Sequence, residues 1–157
     1  MRERPMKPVS ASRAELVQIL MPGHINSMGR LFGGRLMEWI DIVAGVVARR
    51  HANADVITAS VSHLEFKSPA NVGDTILLIG RIVYVGRTSM DVRVDTFVEA
   101  LSGERAHVNQ AYLTMVALGD DGKPRHVPGL SLENDEQRAE WDAGVERHRL
   151  RKKESRP

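Results

Sequence analysis

Asp41 is the residue whose type and setting most need a chemical explanation. At ~100° per residue on a helix it shares a face with Gly34, Met37, Gly45 and Ala48. That stripe is apolar and largely made of small residues, which let another backbone or a ligand come close. A carboxylate there is costly if buried alone, and able to move a proton or attack a carbonyl if a substrate reaches it. The pattern also admits an Asp41 that points into water through a gap in the sheet. About two turns earlier on the same face stand Gly33 and Gly34, at the start of the apolar run. Free N–H groups at a helix N-terminus bind negative charge, and glycine lets a ligand oxygen reach them. Oxyanion donors and a carboxylate in one cleft are what hydrolysis of an activated carbonyl requires.

Other chemistries lack their residues. The chain has no cysteine, so thiol nucleophiles, thiolate metal sites and disulfides are excluded. Six histidines are present, but none has the H-E-x-x-H spacing or a similar one, and no metal is assigned. His24 and His51 flank the candidate region, where loop packing and helix capping account for them equally well. No G-x-S-x-G elbow, Walker loop or dinucleotide glycine fingerprint is found.

The elements that must position Asp41 follow from periodicity. Gly33 to His51 is predicted as one helix, because Leu36, Met37, Ile40, Val43, Ala44 and Val47 recur at three- and four-residue spacing. Trp39, Ile42 and Val46 add a second apolar face, so the helix must be wrapped by other structure or a partner chain. Ala14 to Met21 reads as a first strand, ended by Pro22-Gly23. Val56 to Phe66, Thr75 to Val85, Thr88 to Glu99 and Arg105 to Leu118 read as a four-stranded meander. In the third of these Met90, Val92, Val94, Thr96 and Val98 alternate with Asp91, Arg93, Asp95, Phe97 and Glu99, as in a strand with one packed and one wetted face. The expected fold class is therefore α+β, a five-stranded antiparallel sheet curled around one helix. Its long edge strand favours dimerisation by sheet pairing.

The ends are read differently. Residues 1–13, with Pro5, Pro8 and no periodicity, are expected to be a flexible arm, and 14–119 the folded domain. The extension 120–157 carries a charged segment, Glu133 to Lys153, that opens with acidic and closes with basic residues, as a C-terminal surface helix does. Net charge is +2, with the excess concentrated in Arg147 to Pro157, so an evenly basic nucleic-acid surface is not indicated. No apolar run approaches the ~18 residues of a membrane span and no secretory leader pattern is seen, which points to a cytoplasmic protein.

The run His24-Ile25-Asn26-Ser27-Met28-Gly29-Arg30-Leu31-Phe32-Gly33-Gly34-Arg35-Leu36-Met37-Glu38-Trp39-Ile40-Asp41 resembles the signature of the hot-dog acyl-CoA thioesterases, the branch of the cytosolic brain-type hydrolase and the YciA-like enzymes. The likeness continues through Ala44-Gly45, Ala48-Arg49-Arg50-His51, Thr58-Ala59-Ser60-Val61, Phe66, Pro69, Gly73-Asp74 and Gly86-Arg87-Thr88-Ser89-Met90. It implies a hot-dog fold and a paired homodimer with composite sites, often assembled as a trimer of dimers. It implies hydrolysis of acyl-CoA to free acid and coenzyme A, with no cofactor, since coenzyme A is part of the substrate. Asp41 matches the acidic catalytic residue, as base or nucleophile. Asn26 matches the loop asparagine supplied across the dimer, and the amides near Gly33 and Gly34 would complete an oxyanion hole. Arg87, Thr88, Ser89 and Ser60 fall in segments expected to meet coenzyme A, and Arg151 and Lys152 of the basic tail are candidate contacts to its phosphates. Two competing functions are a hot-dog acyl-thioester dehydratase and a non-catalytic acyl-CoA-binding module.

Overall fold

The computed structural model describes residues 3–154. In chain order the elements are β1 (Met6–Pro8), β2 (Ala14–Ile19), α1 (Gly33–Ala52), β3 (Asp55–Phe66), β4 (Thr75–Val85), β5 (Ser89–Glu99), β6 (Arg105–Leu118), β7 (Gly129–Ser131) and α2 (Asp135–Glu154). The main sheet runs β2-β4-β5-β6-β3 with every neighbour antiparallel, as the meander pattern predicts. Helix α1 ends at Asn53, whose left-handed backbone (φ 51°) turns its N–H onto the Arg49 carbonyl. Arg49, Arg50 and His51 fill the last turn, where cations suit the helix dipole.

One face of the sheet wraps α1. Leu36, Ile40, Val43 and Val47 pack with Ile76, Leu78, Val92, Val94, Leu113 and Met115 in one buried core, each large side chain contributing about 2 kcal/mol of burial. The contact is close at Gly80, where a Cβ would sit 2.6 Å from Val43 Cγ1. A side chain there would push the helix off the sheet.

The opposite face does not meet water as the alternation in β5 suggests. Helix α2 covers it, and Asp91 and Asp95 are only 2% and 5% exposed. Burial of these charges is possible because each is paired. The Asp95 carboxylate accepts from Arg93 (2.9 Å), Arg81 (3.2 Å) and His107 (2.8 Å), and Glu140 of α2 closes on Arg81. Asp91 accepts from Thr114 (3.1 Å) and from Arg151 (3.2 Å). Trp141 packs against the Tyr84 ring at 4.7 Å, and beside it Gly144 lies so near Tyr84 that a Cβ would come within 2.5 Å of the tyrosine Cβ.

The ends also differ from expectation. The segment expected to be a flexible arm is tied down from Met6 onward: β1 pairs in parallel with β7, Met6 opposite Gly129 and Pro8 opposite Ser131. Its first two residues lie outside the described part, as do 155–157 of the basic tail. Val9, Val127 and Leu130 join the core around α1, so the boundaries at 13 and 119 cut through one packed unit. Strand β3, in contrast, is open. It is an edge strand, with Ile57 50%, Val61 38% and Phe66 58% exposed.

Candidate active site

Asp41 projects from the middle of α1 on the face that turns away from the core, beside exposed Ile42 and under the N-terminal half of β3. Its Oδ1 accepts a hydrogen bond from the Thr58 hydroxyl at 2.5 Å, leaving Oδ2 for another proton. Thr58 is the functional candidate that sequence reasoning passed over in favour of Ser60. A β-bulge explains the difference. Thr58 pairs with Met115 and Ser60 with Thr114, so Ala59 is the extra residue and the alternation slips by one. Met115 faces the core, whereas Thr114 bonds Asp91 on the outer face. Residues opposite one another in a ladder project to the same side, so Thr58 faces α1 and Ser60 faces away from Asp41. The alternation of a sequence gives no sign of a bulge.

Asn26 sits in the loop before α1. Its Oδ1 accepts from the amides of Met28 (2.9 Å) and Arg30 (3.2 Å), which fixes the loop and leaves the side-chain amide as a donor with no acceptor among the described residues. Asn26 lines a cavity of about 360 Å³ with an apolar floor of Leu31, Leu36, Ala70 and Val108, and with Phe66 on its wall. The Phe66 ring also reaches to 4.0 Å of where a Gly33 Cβ would lie, so the asparagine and the helix N-terminus occupy one neighbourhood. The amides of Gly33 and Gly34, first in the helix, find no acceptor among the described residues. A Cβ at Gly34 would come within 2.7 Å of the Phe32 ring, so a side chain there requires that exposed ring to move.

These groups form two halves that one chain does not join. A rise of ~1.5 Å per residue places Gly34 about 10 Å along the axis from Asp41. One carbonyl carbon cannot lie within the ~3 Å needed from both. The single cleft expected from the sequence is therefore absent within one chain. Asp41 with Thr58 forms one half, and Asn26 with Gly33 and Gly34 the other.

The expected coenzyme A contacts also separate. Arg87 is exposed at the β4–β5 turn and lines a second, larger cavity of about 780 Å³. The backbone carbonyls of Thr88 and Ser89 are used within the fold, accepting from Ala117 (3.0 Å) and Gly86 (2.9 Å). Arg151 does not reach out to solvent as a phosphate contact would. It is drawn to the outer face by the buried Asp91 carboxylate, and Lys152 follows it on α2, away from the lining of either cavity. His24 accepts from the Met21 amide through Nδ1 (3.0 Å) and packs edge-on to Trp39. His51 is fully buried, with Nε2 2.8 Å from the Pro128 carbonyl. Both histidines are structural.

A curled antiparallel sheet around one long helix defines the hot-dog class, and known proteins of that class match this chain closely. The thioesterase superfamily model matches residues 28–101. An uncharacterized acyl-CoA thioester hydrolase of Zymomonas mobilis is 38% identical over 122 residues, covering 72% of this chain and 76% of its own length. An apo-hexameric acyl-CoA thioesterase structure superposes with a TM-score of 0.91 at 37% identity, over 96% of this chain and 97% of that one. An acyl-CoA hydrolase of Staphylococcus aureus, in complex with butyryl coenzyme A, coenzyme A and coenzyme A disulfide, gives 0.89 at 36% identity, over 96% and 94%. The chain belongs to the hot-dog acyl-CoA thioesterase family.

Proposed function

We propose that this protein hydrolyses acyl-CoA thioesters to the free acid and coenzyme A, at sites completed between two copies of the chain. The observation that carries the reading is the separation just described: a carboxylate held by Thr58 and a set of unfilled donors, too far apart to serve one carbonyl within a chain. Two α1 helices lying antiparallel would bring Asp41 of one copy to Asn26, Gly33 and Gly34 of the other. The acyl chain would enter the apolar-floored cavity beside Asn26, and Arg87 would meet the coenzyme A head.

In this arrangement Asn26 and the two glycine amides hold the thioester oxygen as it gains negative charge. Asp41 Oδ2 takes a proton from the attacking water, the new C–O bond forms, and the C–S bond breaks. The sulfur leaves with the electron pair and is protonated to the thiol. Structures of the S. aureus acyl-CoA hydrolase include variants in which one asparagine, one aspartate or one threonine is replaced by alanine. The intervals between those three positions equal the intervals between Asn26, Asp41 and Thr58, which supports placing these three residues in the site here. The exposed edge of β3 and the hexameric relatives support a homodimer and a trimer of such dimers. No helix among the described residues is long and apolar enough to cross a membrane, in keeping with the proposed cytoplasmic location.

The deciding experiment follows thiol release from butyryl-CoA. Asp41→Asn is expected to lower kcat by about 10²- to 10⁴-fold while the oligomer stays folded. A near wild-type rate removes Asp41 from the mechanism. Enoyl product from a 3-hydroxyacyl-CoA, with no thiol released, would establish the dehydratase instead, and tight acyl-CoA binding without turnover would establish the binding module.

A further inference from the structure

The cavity beside Asn26, about 360 Å³, receives the acyl chain in the proposed reaction, but its lining holds more than a hydrocarbon chain needs. The floor is apolar, with Leu36, Ala70 and Val108 all buried. The rim carries only positive charge. Arg30 and Lys67 both line the cavity, and no Asp or Glu among the described residues does. Both side chains are exposed, and neither has an ion pair or hydrogen bond among the described residues.

Each cation stands on backbone that the fold holds in place. The Arg30 amide donates to Asn26 Oδ1 (3.2 Å), the Arg30 carbonyl accepts from the Asn26 amide (2.8 Å), and a short bridge ties Arg30 to Asn71. Arg30 therefore shares a loop with the proposed oxyanion donor. Lys67 follows the last residue of β3, and its amide donates to the Val108 carbonyl of β6 at 2.8 Å. Two separate segments thus present like charges to one concavity. Such an arrangement raises the local potential and draws anions, while the floor beneath it takes methylenes. In an apolar pocket the few polar groups set specificity. The ligand that satisfies both parts is a short hydrocarbon chain with an anion at its end.

We propose that this cavity takes acyl groups ending in a carboxylate, the coenzyme A monothioesters of dicarboxylic acids, with Arg30 and Lys67 as the specificity-determining pair that receives the terminal carboxylate. The proposal rests on the thioesterase reading and narrows its substrate class. Asn26 holds the thioester oxygen, the methylenes cross the apolar floor, and the far carboxylate meets the two cations. Without them a carboxylate would give up its water with nothing in return, and the methyl-ended chain of equal length would be the better substrate.

Four pairs of substrates test it: succinyl-, glutaryl-, adipoyl- and suberyl-CoA, each against the methyl-ended ester of the same carbon count, butyryl-, pentanoyl-, hexanoyl- and octanoyl-CoA. Thiol release is followed with the enzyme-free rate subtracted, since succinyl- and glutaryl-CoA expel thiol by internal attack of their own carboxylate. The readout is the ratio of kcat/KM within a pair, in which the coenzyme A head and the thioester cancel. For the pair with the highest wild-type ratio, Arg30→Met and Lys67→Met are each expected to lower that ratio about tenfold, as loss of one charge-assisted hydrogen bond predicts, and the double variant should lower it further. Methionine keeps an unbranched stem and drops the charge. Lys123→Met removes a charge in the turn after β6, at the end of the β3–β6 ladder remote from Phe66, and should leave the ratio unchanged. A ratio unchanged in the double variant, whether both rates fall together or neither moves, would place the cations on a part that the two esters share and overturn the assignment. An equal effect of Lys123→Met would overturn it too. If the wild type releases no thiol from any ester, the thioesterase reading falls, and the ratio of dissociation constants for adipoyl- and hexanoyl-CoA, measured by calorimetry on the same variants, decides the cavity: a fall in relative affinity for adipoyl-CoA supports the assignment, and no fall refutes it.

Discussion

A hydroxyl and a buried imidazole carry the clearest consequences of single side chains. The Thr58 hydroxyl donates to the carboxylate proposed as base, and a hydrogen bond to a charged group is worth about 1.5–3 kcal/mol. Thr58→Val keeps the shape and removes the donor, so kcat should fall about 10- to 100-fold with little change in KM, and steady-state kinetics on butyryl-CoA reads both. His51 poses a different problem. A carbonyl can only accept, so the Nε2 facing Pro128 carries the proton, and the buried Nδ1 has no partner among the described residues. Burial is the main force holding the ring's pKa below the usual 6.5, partly opposed by the Pro128 bond and reinforced by the charges of Lys7 and Arg4. The unfolded chain therefore takes up a proton as pH falls through about 6.5, and the folded chain refuses it until its own lower value is reached. Stability present above that pH is lost over the interval below it. Tm measured between pH 7.5 and 5 should drop more steeply in the wild type than in His51→Gln. Parallel curves would show that another group sets the slope.

At the scale of elements, the strength of each pattern decided what could be read. Helix α1 and strands β3 to β6 were legible because each is long and its apolar period is sustained. Met6–Pro8 was not, since a three-residue strand between prolines has no period, and its partner lies at the far end of the chain. The alternation in β5 was read correctly as two faces and incorrectly as one dry and one wet, because aspartate and arginine look the same in sequence whether they meet water or each other. The proposed site divided in the same way. Asn26, Gly33, Gly34 and Asp41 stand out along one run, whereas Thr58 faces the helix only because of a bulge. The ionic layer under α2 yields its own prediction. Asp95→Ala takes a shared partner from Arg81, Arg93 and His107 while Glu140 stays on Arg81, and losing hydrogen bonds to a charged group costs about 1.5–3 kcal/mol. Urea unfolding should show a loss of that order, and a loss below about 1 kcal/mol would mean that water screens the cluster.

For the whole molecule the open edge of β3 is the governing feature. A long strand with unpaired backbone groups and exposed Ile57, Val61 and Phe66 is a liability in a lone chain. In the proposed dimer this edge is covered, and the same contact completes each site. Ile57→Lys places a charge on that surface without touching Asp41, Asn26 or the glycines. Sedimentation should show a shift toward monomer, and activity should fall in proportion to the dimer lost. A monomer with full activity would separate catalysis from assembly.

The seat of α2 on Tyr84 bears on how this protein can be hardened against heat. Replacing a helical glycine by alanine ordinarily stabilises, because the unfolded chain gives up freedom it would otherwise have to lose. At Gly144 the missing methyl group is a spacer that sets the gap between two layers. Alanine there would act as a wedge, lifting the helix from the sheet and letting solvent into the ionic layer beneath it, so a routine thermostabilising substitution would here do harm.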